Sequence, residues 1–180
     1  MFDKNILLVI DLQQQFKDKN DNYKKCLEYL EKNCIAYDEI VFTLFSQFIG
    51  NEDGSIDYSD KYLHHLNWKG CEHTNVSDIL MPDIFSKQNE NGRNILHTPI
   101  RIIPKNTYAV KLPEEYDPIT THIDIIGCDA DSCVLATAFK LWDENYSFRI
   151  LKDYIFTTSP KIDMKQIMLL MKRQFGDCIV

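Results

Sequence analysis

Between Asn5 and Asp11 the chain carries an unbroken aliphatic run, so apolar side chains fall on both alternating faces of an extended segment, as in a central strand covered by helices on both sides. From 21 to 34 the period changes. Tyr23, Cys26, Leu27, Leu30 and Cys34 recur at i, i+3, i+4, i+7 and i+11, an amphipathic helix with Asn20 or Asp21 placed as its N-cap. Residues Glu39 to Phe45 return to a strand, and the three segments make a βαβ unit with parallel strands and a right-handed crossover. Polar, turn-forming stretches at 50–60 and 86–94 read as surface loops, with short helical candidates at 59–67 and 76–81. Thr107 to Lys111 is a third strand and His122 to Cys128 a fourth.

A stripe of Val134, Leu135, Ala138, Leu141 and Trp142 predicts a helix from about Cys133 to Asn145, followed by a fifth strand from Phe148 to Tyr154. Ser159 before Pro160 marks the entry to a last helix, whose stripe of Met164, Ile167, Met168, Met171 and Phe175 stops at Gly176, a C-terminal cap. Cys178 to Val180 is a short sixth strand. This order predicts one domain over residues 1–180: a Rossmann-like three-layer α/β/α sandwich on a mostly parallel six-stranded sheet.

Charge narrows the partners. Twenty Lys plus Arg against 27 Asp plus Glu leave a net charge of −7, which disfavours binding to a nucleic-acid backbone. The aliphatic run from Ile6 to Ile10 ends at Asp11 and is too short for a membrane span or a signal-peptide core, so a cytoplasmic protein is expected. The six cysteines form no CxxC pair and read as reduced thiols, each by default a small core residue.

In an open parallel sheet ligands bind beyond the carboxyl ends of the strands. Asp11 closes the first strand, Lys111 closes the third, and Cys133 follows the fourth at the start of a helix, whose N–H groups and dipole favour a thiolate. A base, a cation and a nucleophile would converge there. His64, His65 and His73 match no metal-ligand spacing, and the six glycines form neither GxGxxG nor GxxxxGK, so neither a metal nor a cofactor is expected.

Residues 127–154, GCDADSCVLATAFKLWDENYSFRILKDY, resemble the signature of the isochorismatase-like cysteine hydrolases, a family that includes nicotinamidases and N-carbamoylsarcosine amidohydrolases. Gly127 falls on the family glycine, Asp131 on its acidic residue, Cys133 on the nucleophile, Val134 on the valine after it, Thr137 and Ala138 on the TA pair, and Asp153 on the aspartate after the next strand. Asp11, Gln13 and Phe16 resemble its D-x-Q-x-x-F, and Lys111 the lysine of its V-x-K segment. Ala130 stands where the family usually has Thr; Phe45 and Gln47 stand where nicotinamidases carry metal ligands, which disfavours a metal.

The resemblance implies a C–N bond hydrolase acting on a small amide or carbamoyl compound through a thioester, with Asp11, Lys111 and Cys133 as its triad. It places the oxyanion hole at the backbone N–H groups of Asp129 and Cys133, behind a cis peptide between Cys128 and Asp129. Phe16, Phe45 and Phe48, with Trp68, are candidate pocket walls. A homo-oligomer, dimer or tetramer, is implied as well. The competing readings are an inactive binding or scaffold protein on the same fold, a thiol redox sensor using Cys128 and Cys133, and a flavodoxin-like carrier.

Overall fold

Alternation along the first strand decides how the layers form. In β1 (Lys4–Ile10), Ile6, Leu8 and Ile10 join a core with α2 (Leu135–Asp143) and α3 (Met164–Phe175), whereas Leu7 and Val9 join a second core with α1 (Asn22–Asn33). All five of these strand residues are fully buried, each contributing about 1.5–3 kcal/mol. The result is the expected three-layer sandwich. This computed structural model describes residues 2–50, 55–58, 70–86 and 98–180. The expected helix at 59–67, with His64, His65 and Trp68, and most of the loop at 86–94 lie outside them.

The main sheet adds β2 (Glu39–Phe45), β5 (Ile100–Lys105), β6 (Thr121–Gly127) and β7 (Ser147–Ile155), in the order β5-β2-β1-β6-β7 with every pair parallel. A separate antiparallel ribbon pairs β3 (Phe48–Gly50) with β4 (Ile56–Tyr58). From β1 the chain first runs outward through β2 to β5, then returns to the other side of β1 for β6 and β7. The direction therefore reverses between β1 and β6, the switch point at which open α/β sheets bind ligands.

Four expectations need correction. The third strand is Ile100–Lys105, not 107–111; Pro104 sits in it because β5 is an edge strand, where a missing N–H costs no ladder bond. Among the described residues the sheet has five strands, and the expected sixth is a 3₁₀ turn, Gly176–Cys178, followed by one parallel bridge from Ile179 to Ile150. The segment expected to be helical at 76–81 holds only a 3₁₀ turn, Val76–Asp78. Helix α3 starts at Met164 with Asp163 as cap, its carboxylate accepting from Lys165 N at 2.9 Å, which leaves Ser159 and Pro160 in the loop before it. Gly176 ends the helix as expected, at φ +56°.

Candidate active site

Three strand ends assemble the site. Asp11 follows β1 with φ +45°, a left-handed turn that aims its side chain back over the sheet edge. Cys133 lies in the π-type turn Ala130–Val134 that leads into α2, where Val134 N bonds Asp129 O at 3.0 Å. Such turns recur at functional sites. Between these two, Gly127 (φ +111°) packs so closely on β1 that a Cβ there would stand 2.1 Å from Ile10 O. The close approach lets Cys128 N bond Ile10 O at 2.9 Å and brings the two strand ends together.

The cation of the site is Lys105, not Lys111. Lys105 is the last residue of β5, in register with Phe45 at the end of β2, and its long side chain crosses the Phe45 ring at 5.1 Å to reach Asp11. Nζ stands 2.7 Å from Asp11 Oδ2 and donates to Cys133 Sγ at 3.4 Å, to Thr107 O at 3.0 Å and to Tyr108 O at 3.2 Å. Lys111 is exposed and has no part in this cluster. The V-x-K match lay six residues downstream of the lysine that the sheet delivers.

The cluster is dry: Asp11 is 0%, Cys133 1% and Lys105 5% exposed. Burial alone would lower the lysine, but the Asp11 carboxylate and Cys133 outweigh it, and the ammonium is held above its usual range. For Cys133 burial dominates, and the Asp11 carboxylate adds to it by repelling a thiolate; Lys105 opposes but does not win. The sulfur is therefore a thiol at rest. This corrects the expectation that the helix start keeps it charged, since a dipole at a helix end is weaker than the desolvation of a buried anion.

Gln13 has a place in the frame. Its amide donates to Phe45 O at 3.1 Å and accepts from Phe45 N at 2.9 Å, so a buried side chain extends the ladder where β2 runs out. Its position in D-x-Q could have signalled this.

The expected cis peptide is present between Cys128 and Asp129. Ala130 N bonds Phe156 O at 2.8 Å, and the Asp129 carboxylate accepts from Thr158 N and, at 2.8 Å, from Thr158 Oγ1. The Asp129 N–H has no acceptor among the described residues. Asp129 is 6% exposed, and burial, reinforced by Asp131 and Asp11, pushes its carboxyl up to about 6 against the Thr158 bonds.

A cleft of about 1290 Å³ opens beside this loop. Phe16, Tyr108 and Phe139 contribute aromatic walls, and Asp129 and Ser132 bring it to the neighbours of Cys133, though the sulfur itself lies behind them. Of the expected pocket residues, Phe16 lines the cleft. Phe45 lies beneath Lys105, and Phe48, on the small ribbon, stacks on His73 at 4.6 Å. Among the described residues no three His, Cys, Asp or Glu side chains group as a metal site, and all six cysteines are free.

Solved structures with the same architecture span this chain almost completely. A pyrazinamidase/nicotinamidase from Streptococcus mutans UA159 is 16% identical with a TM-score of 0.66, over 98% of this chain and 99% of that one. An isochorismatase-like hydrolase from Alkaliphilus metalliredigens is 14% identical at TM-score 0.61, over 96% and 92%. The chain has the isochorismatase-like hydrolase fold. A ribonuclease from Caenorhabditis elegans shares it too, at 17% identity and TM-score 0.58, over 96% of this chain and 74% of that one. No protein-family model and no curated protein matches the sequence. An isochorismatase-like fold alone therefore does not choose the chemistry, and the buried acid, ammonium and thiol have to.

Proposed function

We propose that the protein, as one domain over residues 1–180, is a cysteine hydrolase that cleaves the C–N bond of a small amide or carbamoyl compound. The observation that carries this reading is the Asp11–Lys105–Cys133 cluster at the switch point, with Lys105 Nζ 2.7 Å from one partner and 3.4 Å from the other. Polar groups this deeply buried are costly unless they serve something.

In the proposed reaction Asp11 takes the thiol proton as Sγ attacks the carbonyl carbon, so a thiolate exists only as the S–C bond forms. Lys105 stays charged throughout and balances the negative charge as it passes from carboxylate to sulfur to oxygen. Backbone N–H groups of Asp129 and Cys133 receive the oxyanion. The protonated Asp11 returns its proton to the leaving nitrogen, ammonia or an amine departs, and a thioester remains on Cys133. Asp11 then takes a proton from water, whose oxygen adds to the thioester carbon; the acid product leaves and the thiol is restored. Phe16, Tyr108 and Phe139 supply flat walls for the substrate.

A homo-oligomer, dimer or tetramer, and a cytoplasmic location belong to the same proposal. Phe139, Trp142, Leu169 and Leu170 on α2 and α3 are exposed, which favours association through those helices. Among the described residues no helix is long and apolar enough to cross a membrane.

The test is ammonia release from a panel of small amides and carbamoyl compounds. Turnover by the wild type, its loss in Cys133→Ala with an unchanged melting curve, and an acyl mass on Cys133 support the reading. Equal turnover in Cys133→Ala overturns it. In the same assay Lys111→Gln retains wild-type rates. Lys105→Gln loses at least a hundredfold and is destabilised by about 3–5 kcal/mol, because Asp11 is left as a buried charge without its counter-ion.

A further inference from the structure

Thr43, on β2, meets Asp11 twice. Its buried Oγ1 accepts the Asp11 backbone N–H at 2.9 Å and donates to Asp11 Oδ1 at 2.6 Å. A hydroxyl has a single proton. With the N–H directed at its oxygen, Thr43 is held as a donor toward the carboxylate, and a proton arriving on Oδ1 would displace that bond.

Oδ2 is in the opposite position. It has no aligned hydrogen bond although Lys105 Nζ is 2.7 Å away. The reason lies on the lysine: an ammonium has three N–H bonds, and those of Lys105 go to Thr107 O, Tyr108 O and Cys133 Sγ. Lys105 thus gives Oδ2 a neighbouring charge but no proton, and leaves its lone pairs open.

We propose that Thr43 is a positioning residue that, by occupying Oδ1, makes Oδ2 the atom of Asp11 that receives the Cys133 proton. The inference rests on the cysteine-hydrolase reading and adds to it the acceptor atom and the residue that selects it. In the step so defined the S–H bond breaks as S–C forms, the proton moves to Oδ2, and the neutral carboxylic acid stays beside the ammonium until the leaving nitrogen takes the proton. The other titratable groups that bear on Asp11 are Cys71, Cys128 and Asp129, each more deeply protonated than usual.

Two substitutions test it: Thr43→Val keeps the shape and removes the hydroxyl, and Thr43→Ser keeps the hydroxyl. With the best amide of the panel, Thr43→Val is expected to lower kcat ten- to a hundredfold with KM within about threefold. It should also move the acid limb of kcat/KM up by about one pH unit, since a carboxylate that loses a donor keeps a proton more readily. Thr43→Ser should stay within threefold of wild type on both counts. Alkylation of Cys133 by iodoacetamide, located by peptide mass between pH 5 and 9, should shift in the same way without any need for turnover. If the valine variant does not fold, Thr43→Ala is read identically.

A valine variant with the wild-type pH limb and rate, or a serine variant as impaired as the valine, overturns the role of Thr43 and leaves the hydrolase reading standing. Absence of turnover in the wild type with Thr43-dependent alkylation overturns amide hydrolysis and supports the proton route. Absence of both overturns both.

Discussion

Asp129 shows how a single side chain can record a conflict between folding and chemistry. Its carboxyl titrates near 6 in the folded protein against 3.8 for the free side chain, chiefly because it is buried. Between about pH 4 and 6 the folded state therefore holds more protons than the unfolded one, so stability falls as pH rises through that window and the loss is complete above it. Two pH units correspond to about 3 kcal/mol at most, less whatever the Thr158 bonds return. Asparagine would keep both contacts to Thr158, one with its donor and acceptor exchanged, and remove the charge. Asp129→Asn is expected to be more stable than wild type by about 1–3 kcal/mol at pH 8, with the advantage gone below pH 4. Urea midpoints at pH 4, 6 and 8 measure it, and a difference constant across that range would contradict the assignment. At the same scale the sequence pointed to Asp11 and Cys133 through strand ends and motifs, and the structure brings these two side chains into one cluster, but with Lys105 in place of the expected Lys111. A run of aliphatic residues broken by a proline, IRIIPK, does not read as a strand, whereas TYAVK does. What settled the matter was pairing with β2, a long-range contact that no local pattern contains.

Elements legible in the sequence are those whose own residues carry the period: β1, α1, β2, β6, β7, and α3 except for its start. Each is bounded by turn residues and buries a face that periodicity reveals. The failures sit where a partner decides. Cys178 to Val180 have strand composition, but they meet β7 only at Ile150 and Lys152, through one bridge. Gly127 is the strongest case of a residue legible for one reason and required for another. It matched a motif, and its physical necessity is the 2.1 Å that a Cβ would leave to Ile10 O, together with φ +111°. Backbone on both sides cannot yield without separating β1 from β6, the two strands that present Asp11 and Cys133. Gly127→Ala is therefore expected to cost about 3 kcal/mol or more in urea unfolding and to abolish turnover even in the fraction that remains folded. A variant within 0.5 kcal/mol of wild type would show that the two strand ends are not held as tightly as the backbone indicates.

The whole molecule determines how its thiols behave, which no one cysteine could predict. All six are free, five are buried on the two faces and the upper edge of one sheet, and only Cys178 near the chain end is partly open. Burial pushes Cys26 and Cys71 up to about 12 and raises the others as well, Cys133 among them, so burial disfavours the thiolate at all six positions. Selective reactivity toward a bulky reagent is therefore a measure of exposure here, and a slow Cys133 says nothing against its catalytic role. The net charge of −7 further disfavours an anionic reagent such as dithionitrobenzoate. In the native protein at pH 7.5 this reagent is expected to label Cys178 first. The other five should react only at the rate of global unfolding, and all six at once in guanidinium. Peptide masses after timed quenching assign the sites. Rapid labelling of Cys133 by so large an anion would place a standing thiolate in the cleft and replace the concerted proton transfer to Asp11 with a preformed ion pair to Lys105.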